Sequence, residues 1–137
     1  MFIEVDLTSD EPIYRQIRTE IVHAVATGEL VPGDALPSVR ALASDLGVNM
    51  HTVNKAYAVL RDEGYVAMRG RSGAYIADTA RSTSSARAQE HEDRMAAELR
   101  RVALEFRARG GTLDGFLALA ATQAKAVFSS TKGDGSR

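Results

Sequence analysis

The hydrophobic positions between residues 36 and 64 recur every three or four residues in two neighbouring stretches, which predicts two short amphipathic helices. Ser38 can cap the first helix because its hydroxyl accepts from a free backbone N–H, and Gly47 can end it. Asn49 and Gly64 can do the same for the second helix. A helix, a tight turn at Gly47 and a second helix together predict a helix-turn-helix motif. The expected buried rows are Val39, Leu42, Ala43 and Leu46 in the first helix and Val53, Ala56, Tyr57 and Leu60 in the second.

The residues after Gly64 change to a shorter alternation. Residues 65–69 predict a strand, residues 70–73 a turn and residues 74–77 the returning strand. A hairpin directly after the second helix forms the wing of a winged helix-turn-helix, and the second helix of such a motif enters the major groove of DNA. We therefore expect a mostly α, α+β head over residues 1–78 that binds DNA.

Two further elements are predicted before this motif. Residues 2–7 alternate well enough for one short strand, which would pair with the wing hairpin. Pro12 follows two acidic residues that favour a helix N-terminus and opens a helix that Gly28 ends. A loop with a Pro-Gly turn covers residues 29–35. The expected buried row of this helix is Ile13 or Tyr14, Ile17, Ile21 and Ala24 or Val25.

The chain beyond residue 78 predicts a linker followed by a pair of helices. Residues 79–85 are small and polar, as in flexible linkers, whereas residues 86–109 contain neither Gly nor Pro and predict one long helix. Two glycines then break the helix, and Thr112 can cap the next one. Residues 129–137 are rich in Gly, Ser and Lys and predict a disordered tail.

The helix pair over residues 86–128 carries apolar stripes that it cannot bury by itself. Units below ~40 residues usually need oligomerisation or other support to be stable. We therefore expect a two-helix dimerisation module, and the pair is also too small to enclose a sizeable ligand pocket. The expected interface residues are Met95, Leu99, Val102, Phe106, Leu113, Phe116, Leu117, Ala120 and Ala124.

Composition excludes several other classes of protein. No run approaches the ~20 apolar residues that a membrane-spanning helix needs, and residues 1–6 lack the basic and apolar parts of a signal peptide, so we expect a cytoplasmic protein. The absence of Cys excludes disulfides and Cys-ligated zinc. His23, His51 and His91 share no metal-ligand spacing. No catalytic constellation or phosphate-binding glycine loop is present, so we expect no cofactor, no metal and no enzymatic activity.

The charge distribution supports DNA binding only locally. The chain has a formal net charge of −1, and residues 1–78 hold 7 Lys or Arg against 11 Asp or Glu. Residues 40–71 reverse this balance, with five basic side chains against three acidic ones. Local charge matters more than the total because the Debye length is only ~8 Å at physiological salt. This modest basic surface predicts that firm DNA binding needs two copies of the head.

Several segments between residues 12 and 76 carry a family resemblance: Ile13-Tyr14-Arg15-Gln16-Ile17, Gly28-Glu29-Leu30-Val31-Pro32-Gly33-Asp34, Leu36-Pro37-Ser38-Val39-Arg40-Ala41-Leu42-Ala43, Gly47-Val48-Asn49, Thr52-Val53 and Glu63-Gly64-Tyr65-Val66. With these segments, residues 12–76 resemble the GntR family of bacterial transcription regulators, and the short C-terminal part is similar to its YtrA subfamily. The resemblance implies a homodimeric repressor that binds an inverted-repeat operator, often in one operon with transporter genes. The sequence departs from the family pattern at Met50, where many members have a basic residue, and at Arg71, where the wing usually has Gly.

The candidate DNA contacts lie at the starts of the two motif helices, opposite the buried row of the second motif helix, and on the wing. Asn54 can bond adenine, and Lys55 can bond guanine or a phosphate. Arg40 matches the family's DNA-contacting arginine, and the alternative for each candidate is a solvated surface side chain. The full set is Ser38, Arg40, Asn49, His51, Thr52, Asn54, Lys55, Arg69, Arg71 and Gly73.

Several alternatives remain open at this point. The regulator could be an activator rather than a repressor, and it could work with or without a small-molecule effector. A winged helix can also serve protein–protein contact, in which case the charged helix face would be incidental. The operator, the effector and the regulated genes are not specified by the sequence.

Overall fold

The computed structural model describes residues 3–70, 73–78 and 85–129. They form two compact units, one before and one after the predicted linker. The prediction of a winged helix-turn-helix followed by a helical pair is confirmed. The elements are α1 (Ile13–Ala26), α2 (Val39–Leu46), α3 (Met50–Asp62), β1 (Val66–Met68), β2 (Ala74–Ile76), α4 (Ser85–Ala108) and α5 (Leu113–Ser129).

The helix-turn-helix is formed by α2 and α3, and both caps are those that the sequence predicts. The Ser38 hydroxyl accepts from the Ala41 N–H at 3.0 Å, and the Asn49 side-chain oxygen accepts from the His51 N–H at 2.7 Å. Gly47 ends α2 with a φ of 69°, in the left-handed region that favours glycine. The chain can therefore leave α2 and enter α3 within a few residues.

The core of the first unit lies between the three helices and the hairpin. Ile17 and Ile21 of α1 pack with Leu60 of α3 and Ile76 of β2, and all four are fully buried. The predicted row of α3 is buried throughout, whereas in α2 only the two central members of the row are fully buried. Burial of apolar surface is the main stabilising contribution to such a unit, at about 25 cal/mol per Å². The head thus has a hydrophobic core of its own.

The wing is an antiparallel hairpin in which Ala67 pairs with Tyr75. The last residues of the predicted loop, 34 and 35, run together with Leu36 along the free edge of β2. The Leu36 N–H donates to the Ala74 carbonyl at 2.9 Å, and the Ile76 N–H donates to the Asp34 carbonyl at 2.8 Å. The chain that enters α2 is therefore held directly against the wing.

The prediction of a strand over residues 2–7 is wrong for the described residues 3–7. Ile3 is buried in the core, but the backbone here has no strand partner. The buried Gln16 side chain of α1 bonds it instead: its amide nitrogen donates to the Asp6 carbonyl at 3.0 Å, and its oxygen accepts from the Asp6 N–H at 2.7 Å. Residues 34–36 occupy the edge of β2, so no sheet edge is available to residues 3–7. The Gln16 amide instead satisfies the backbone N–H and carbonyl of Asp6, as a neighbouring strand would.

The second unit consists of α4, α5 and the turn between them. The rings of Phe106 and Phe116 are 5.6 Å apart between centroids and inclined by 59°. The Thr112 hydroxyl accepts from the Gly115 N–H at 3.1 Å, as predicted for a cap. A Cβ at Gly111 would overlap the Phe106 ring, so the turn requires glycine there. The predicted linker and tail lie outside the described residues except for Ser85 and Ser129.

Candidate nucleic-acid interface

The outer face of α3 presents the predicted base-contacting side chains. His51, Asn54 and Lys55 are all exposed, and Val53 between them is fully buried in the core. Thr52 is half-buried beside them. Packing of the inner face therefore fixes the rotation of α3 about its axis, so that polar side chains near its N-terminus point away from the head. This is the part of a recognition helix that meets base edges.

The position of Lys55 depends on a contact with α1. Its ammonium nitrogen lies 4.2 Å from the centroid of the Tyr14 ring. The sequence places Tyr14 only as a candidate core residue, and it is in fact half-buried beneath the lysine. The contact joins residues that are far apart in the chain, so helical periodicity alone does not reveal it.

The capping residues retain donors on the outside of the motif. Ser38 and Asn49 are exposed, and each uses its side-chain oxygen to accept from its own helix. The Ser38 hydroxyl hydrogen and the Asn49 amide group remain available as donors. Arg40 is also exposed, in the first turn of α2. The structure thus places a cap donor at the start of each motif helix and a cation at the start of α2.

The wing contributes Arg69 in a defined position. The Arg69 guanidinium carbon lies 4.2 Å from the centroid of the Tyr75 ring on the paired strand. The backbone N–H of Arg69 donates to the Gly73 carbonyl at 2.9 Å, which closes the turn. Arg71 lies outside the described residues.

Arg18 of α1 anchors the end of α3. Its guanidinium makes two bonds to the Glu63 carboxylate, at 2.8 and 3.1 Å, and lies 5.8 Å from the centroid of the Tyr65 ring. The hydrogen bond with Glu63 raises the pKa of Arg18. This pair is separated by 45 residues in the chain. Together with the Tyr14 contact, it connects α3 to α1 at two points, the second turn and the C-terminal end. Sequence patterns did not indicate it.

A buried hydroxyl holds the two motif helices together. The Tyr57 hydroxyl donates to the Pro37 carbonyl at 2.8 Å, immediately before the Ser38 cap. Burial raises the pKa of this phenol, so it remains a donor at physiological pH. The bond couples the position of α3 to the start of α2, where Arg40 lies.

The remaining cations of the surface are available to an anionic ligand. Among the described residues, Arg40, Lys55 and Arg69 form no ion pair with a carboxylate. Arg18, in contrast, is occupied by Glu63. In the head, Arg18 thus has a structural role, whereas Arg40, Lys55 and Arg69 can contact phosphates.

The predicted dimerisation stripe is exposed along the second unit. Met95, Leu99 and Leu113 expose 63%, 55% and 72% of their surfaces, and Phe106 and Phe116 are half-buried. An open groove of about 500 Å³ lies between the helices at the turn and is lined mainly by apolar side chains. The other members of the set, Val102, Leu117, Ala120 and Ala124, are exposed too.

The described part of the chain shows neither a metal cluster nor a membrane-spanning helix. No cluster of three or more His, Cys, Asp or Glu side chains that could hold a metal ion occurs there. None of the described helices is both long enough and apolar enough to cross a membrane.

Comparison with known proteins gives the family context of this surface. Residues 13–76 match the family model "Bacterial regulatory proteins, gntR family". The chain is 38% identical over 92 residues to the "HTH-type transcriptional regulator Rv1152" of Mycobacterium tuberculosis, covering 66% of this chain and 76% of that protein. It is 44% identical over 82 residues to the "HTH-type transcriptional repressor YtrA" of Bacillus subtilis, covering 59% of this chain and 62% of that protein.

The solved structures that are similar to the chain include the following three. YtrA from Sulfolobus acidocaldarius matches with 43% identity and a TM-score of 0.54, over 71% of this chain and 97% of that one. A structure titled as a transcriptional antiterminator from Listeria monocytogenes EGD-e matches 93% of both chains, with 26% identity and a TM-score of 0.81. The DNA-binding domain of AraR in complex with operator ORX1 matches 56% of this chain and 99% of that one, with 26% identity and a TM-score of 0.51.

Proposed function

The chain belongs to the GntR family of DNA-binding transcription regulators and is YtrA-like, and from this premise we propose that it acts as a homodimeric repressor. In this proposal two heads bind the two halves of an inverted-repeat operator. The observation that carries it is the exposed polar face of α3, which is fixed by a buried inner face. The relative solved with its operator supports the same use of the fold. We also place the protein in the cytoplasm, with the DNA that it binds, and assign it no enzymatic activity.

Base recognition is assigned to three side chains of α3. Asn54 can make paired hydrogen bonds to the N6 and N7 edge of adenine, and Lys55 can donate to guanine O6 or N7. His51 lies one turn earlier on the same face and can donate to either a base edge or a phosphate. Together these side chains cover the first two turns of the helix, which are the turns that reach into the major groove.

Phosphate binding is assigned to the cations and donors around α3. Arg40 and Arg69, which lack acidic partners among the described residues, are the main described contributors. Such contacts fix the register of the protein on the duplex and supply most of the sequence-independent affinity. The remaining members of this set are Ser38, Asn49, Thr52, Gly73 and, outside the described residues, Arg71.

The homodimer is inferred from the second unit. None of its described residues is buried, although its two helices carry long apolar side chains. Covering such a surface removes apolar area from water and gains about 25 cal/mol per Å². A second copy of the same helix pair covers both stripes by symmetry, because a two-fold interface uses the same patch on each subunit. The groove beside Phe106 would then receive side chains of the partner.

Repression follows from occupancy of the operator by this dimer. A bound dimer that overlaps a promoter excludes polymerase without any further chemistry. Regulation of that occupancy by a small-molecule effector is left open, since the helix pair does not by itself enclose a pocket. We propose, in line with the YtrA resemblance, that the regulated operon is the protein's own.

Replacement of Asn54 is expected to relax specificity, whereas replacement of Arg69 is not. Asn54→Ala should cost ~1–3 kcal/mol at the adenine that it contacts and little elsewhere, because a bidentate contact discriminates one base pair. Arg69→Ala should weaken specific and random duplexes about equally, since phosphate contacts carry no sequence information. Both variants are titrated against an operator selected from random duplexes by the full-length chain, and against single-base-pair variants of it. Equal losses of both variants on all duplexes would remove the base-reading role of α3.

A further inference from the structure

Two of the cations assigned to DNA lie on tyrosine rings. The Lys55 ammonium lies 4.2 Å from the Tyr14 centroid, and the Arg69 guanidinium lies 4.2 Å from the Tyr75 centroid. Both distances are well inside the ~6 Å range of a cation–π interaction. Both tyrosines are half-buried, whereas both cations are exposed. Each ring is therefore fixed by the fold while its cation faces the solvent.

A ring positions a cation in a way that a carboxylate does not. Glu63 holds Arg18 by two charge-assisted hydrogen bonds, which occupy its donors and balance its charge. The Tyr14 ring attracts the ammonium of Lys55 through its quadrupole and takes up no donor in a hydrogen bond. The lysine thus keeps its charge and its N–H donors for a ligand.

The cost of ordering a lysine explains why such a support matters. A lysine side chain is a flexible four-carbon stem, and fixing it on binding costs conformational entropy. A freely moving lysine over DNA neutralises a phosphate wherever one is near. Recognition of a base edge needs a defined position, and Tyr14 restricts the ammonium to one region before DNA arrives.

We propose that Tyr14 is a positioning residue for base recognition, which holds the Lys55 ammonium where it meets a base edge rather than a phosphate. The inference rests on the proposed recognition role of α3. Tyr14 itself lies on α1, which packs behind the motif. A specificity determinant of the DNA surface is therefore located outside the helix-turn-helix. The chemical partner is an acceptor on a base edge, such as the O6 and N7 pair of guanine.

The test compares variants of Tyr14 and Lys55 in the full-length chain. The readout is the specificity ratio, defined as affinity for the selected operator divided by affinity for the same duplex with one base pair replaced, for each position in turn. Tyr14→Leu is expected to lower this ratio about 3- to 10-fold at one position, matching Lys55→Gln. Tyr14→Phe keeps the ring and should retain the ratio. The double variant should be no worse than Lys55→Gln alone, because both changes remove one coupled interaction.

Tyr65→Leu is the matched control. Tyr65 is also half-buried beneath a cation, but that cation is Arg18, which is engaged by Glu63. This variant is expected to change thermal stability without changing the specificity ratio at the Lys55 position. A loss in Tyr14→Leu that is equal on all duplexes, or that adds fully to the loss in Lys55→Gln, would show that Tyr14 is merely structural.

Two further outcomes separate this inference from the proposed function. If the full-length chain selects no sequence from the pool, recognition by α3 itself is wrong. If it selects an operator but Lys55→Gln leaves every ratio unchanged, only the positioning proposal is overturned. If Tyr14→Leu does not fold, the nuclear magnetic resonance spectrum of the wild-type chain decides the matter: the Lys55 ε-methylene protons must be shifted upfield by the Tyr14 ring current. Resonances at the positions of a free lysine overturn the proposal.

Discussion

Leu99→Arg is expected to convert the proposed dimer into a monomer and to weaken operator binding about 10²- to 10⁴-fold, the range that linking two binding sites contributes through effective concentration. Leu99 exposes 55% of its surface in the single chain and lies at the centre of the α4 stripe. A guanidinium at this position would be buried without a partner when two copies meet, which strongly disfavours association. Phe116→Arg should have the same effect through α5.

Ala97→Arg provides the matched control for this prediction. It adds the same charge to the same helix, but Ala97 lies on the face opposite Leu99, since two residues along a helix correspond to about 200°. Light scattering after gel filtration reports the mass, and a mobility shift on the same samples reports the affinity. The control should remain a dimer that binds as the wild type does. A monomeric Leu99→Arg chain with wild-type operator affinity would contradict the role assigned to the helix pair.

The second large effect is the dependence on salt. If each head neutralises about three phosphates, a dimer neutralises about six, and the slope of log K against log salt is about −5. Raising the salt concentration from 50 to 200 mM should then weaken binding about 10³-fold. The head as a whole is acidic, so it has little other attraction for DNA than these local contacts.

Arg40→Gln refines the salt measurement. Two copies of the variant lose two phosphate contacts, so the slope should become shallower by about two. His23→Gln, on the exposed side of α1 and away from the assigned contacts, should leave the slope unchanged. Fluorescence anisotropy of a labelled operator at a series of salt concentrations gives all three slopes. A flat dependence for the wild type would exclude phosphate-driven binding.

The parts of the fold that the sequence predicted depend on local interactions. The two caps and the left-handed Gly47 involve residues within three positions of each other in the chain. Helical periodicity then specified which face of α3 is buried, because Val53 and Leu60 repeat on one side. Once that face is buried, the exposure of Asn54 and Lys55 follows.

The parts that the sequence did not predict depend on contacts between distant residues. The alternation in residues 2–7 is compatible with a strand, but the edge of β2 is occupied by residues 34–36 and the free backbone is bonded by Gln16. Periodicity identifies Gln16 only as a polar residue on a mostly apolar face. The Tyr14 support of Lys55 likewise exists only after α1 packs against α3.

The second unit shows a different limit. Its helices and its glycine turn are predictable from the local sequence pattern. The contact of Phe106 with Phe116 joins residues that are close in the chain, on either side of that turn. The exposed apolar stripes of α4 and α5 show which surface needs a partner, but they do not identify that partner. A second copy is the occupant that we propose.

Sedimentation equilibrium of the full-length chain with its selected operator duplex tests the central proposal most directly, because the proposed function requires two heads on one inverted repeat. The result that we predict is a complex of two chains per duplex, with no stable one-to-one complex at substoichiometric protein. A one-to-one complex of chain and duplex, formed as tightly as the operator binding measured for the full-length chain, would contradict the proposal.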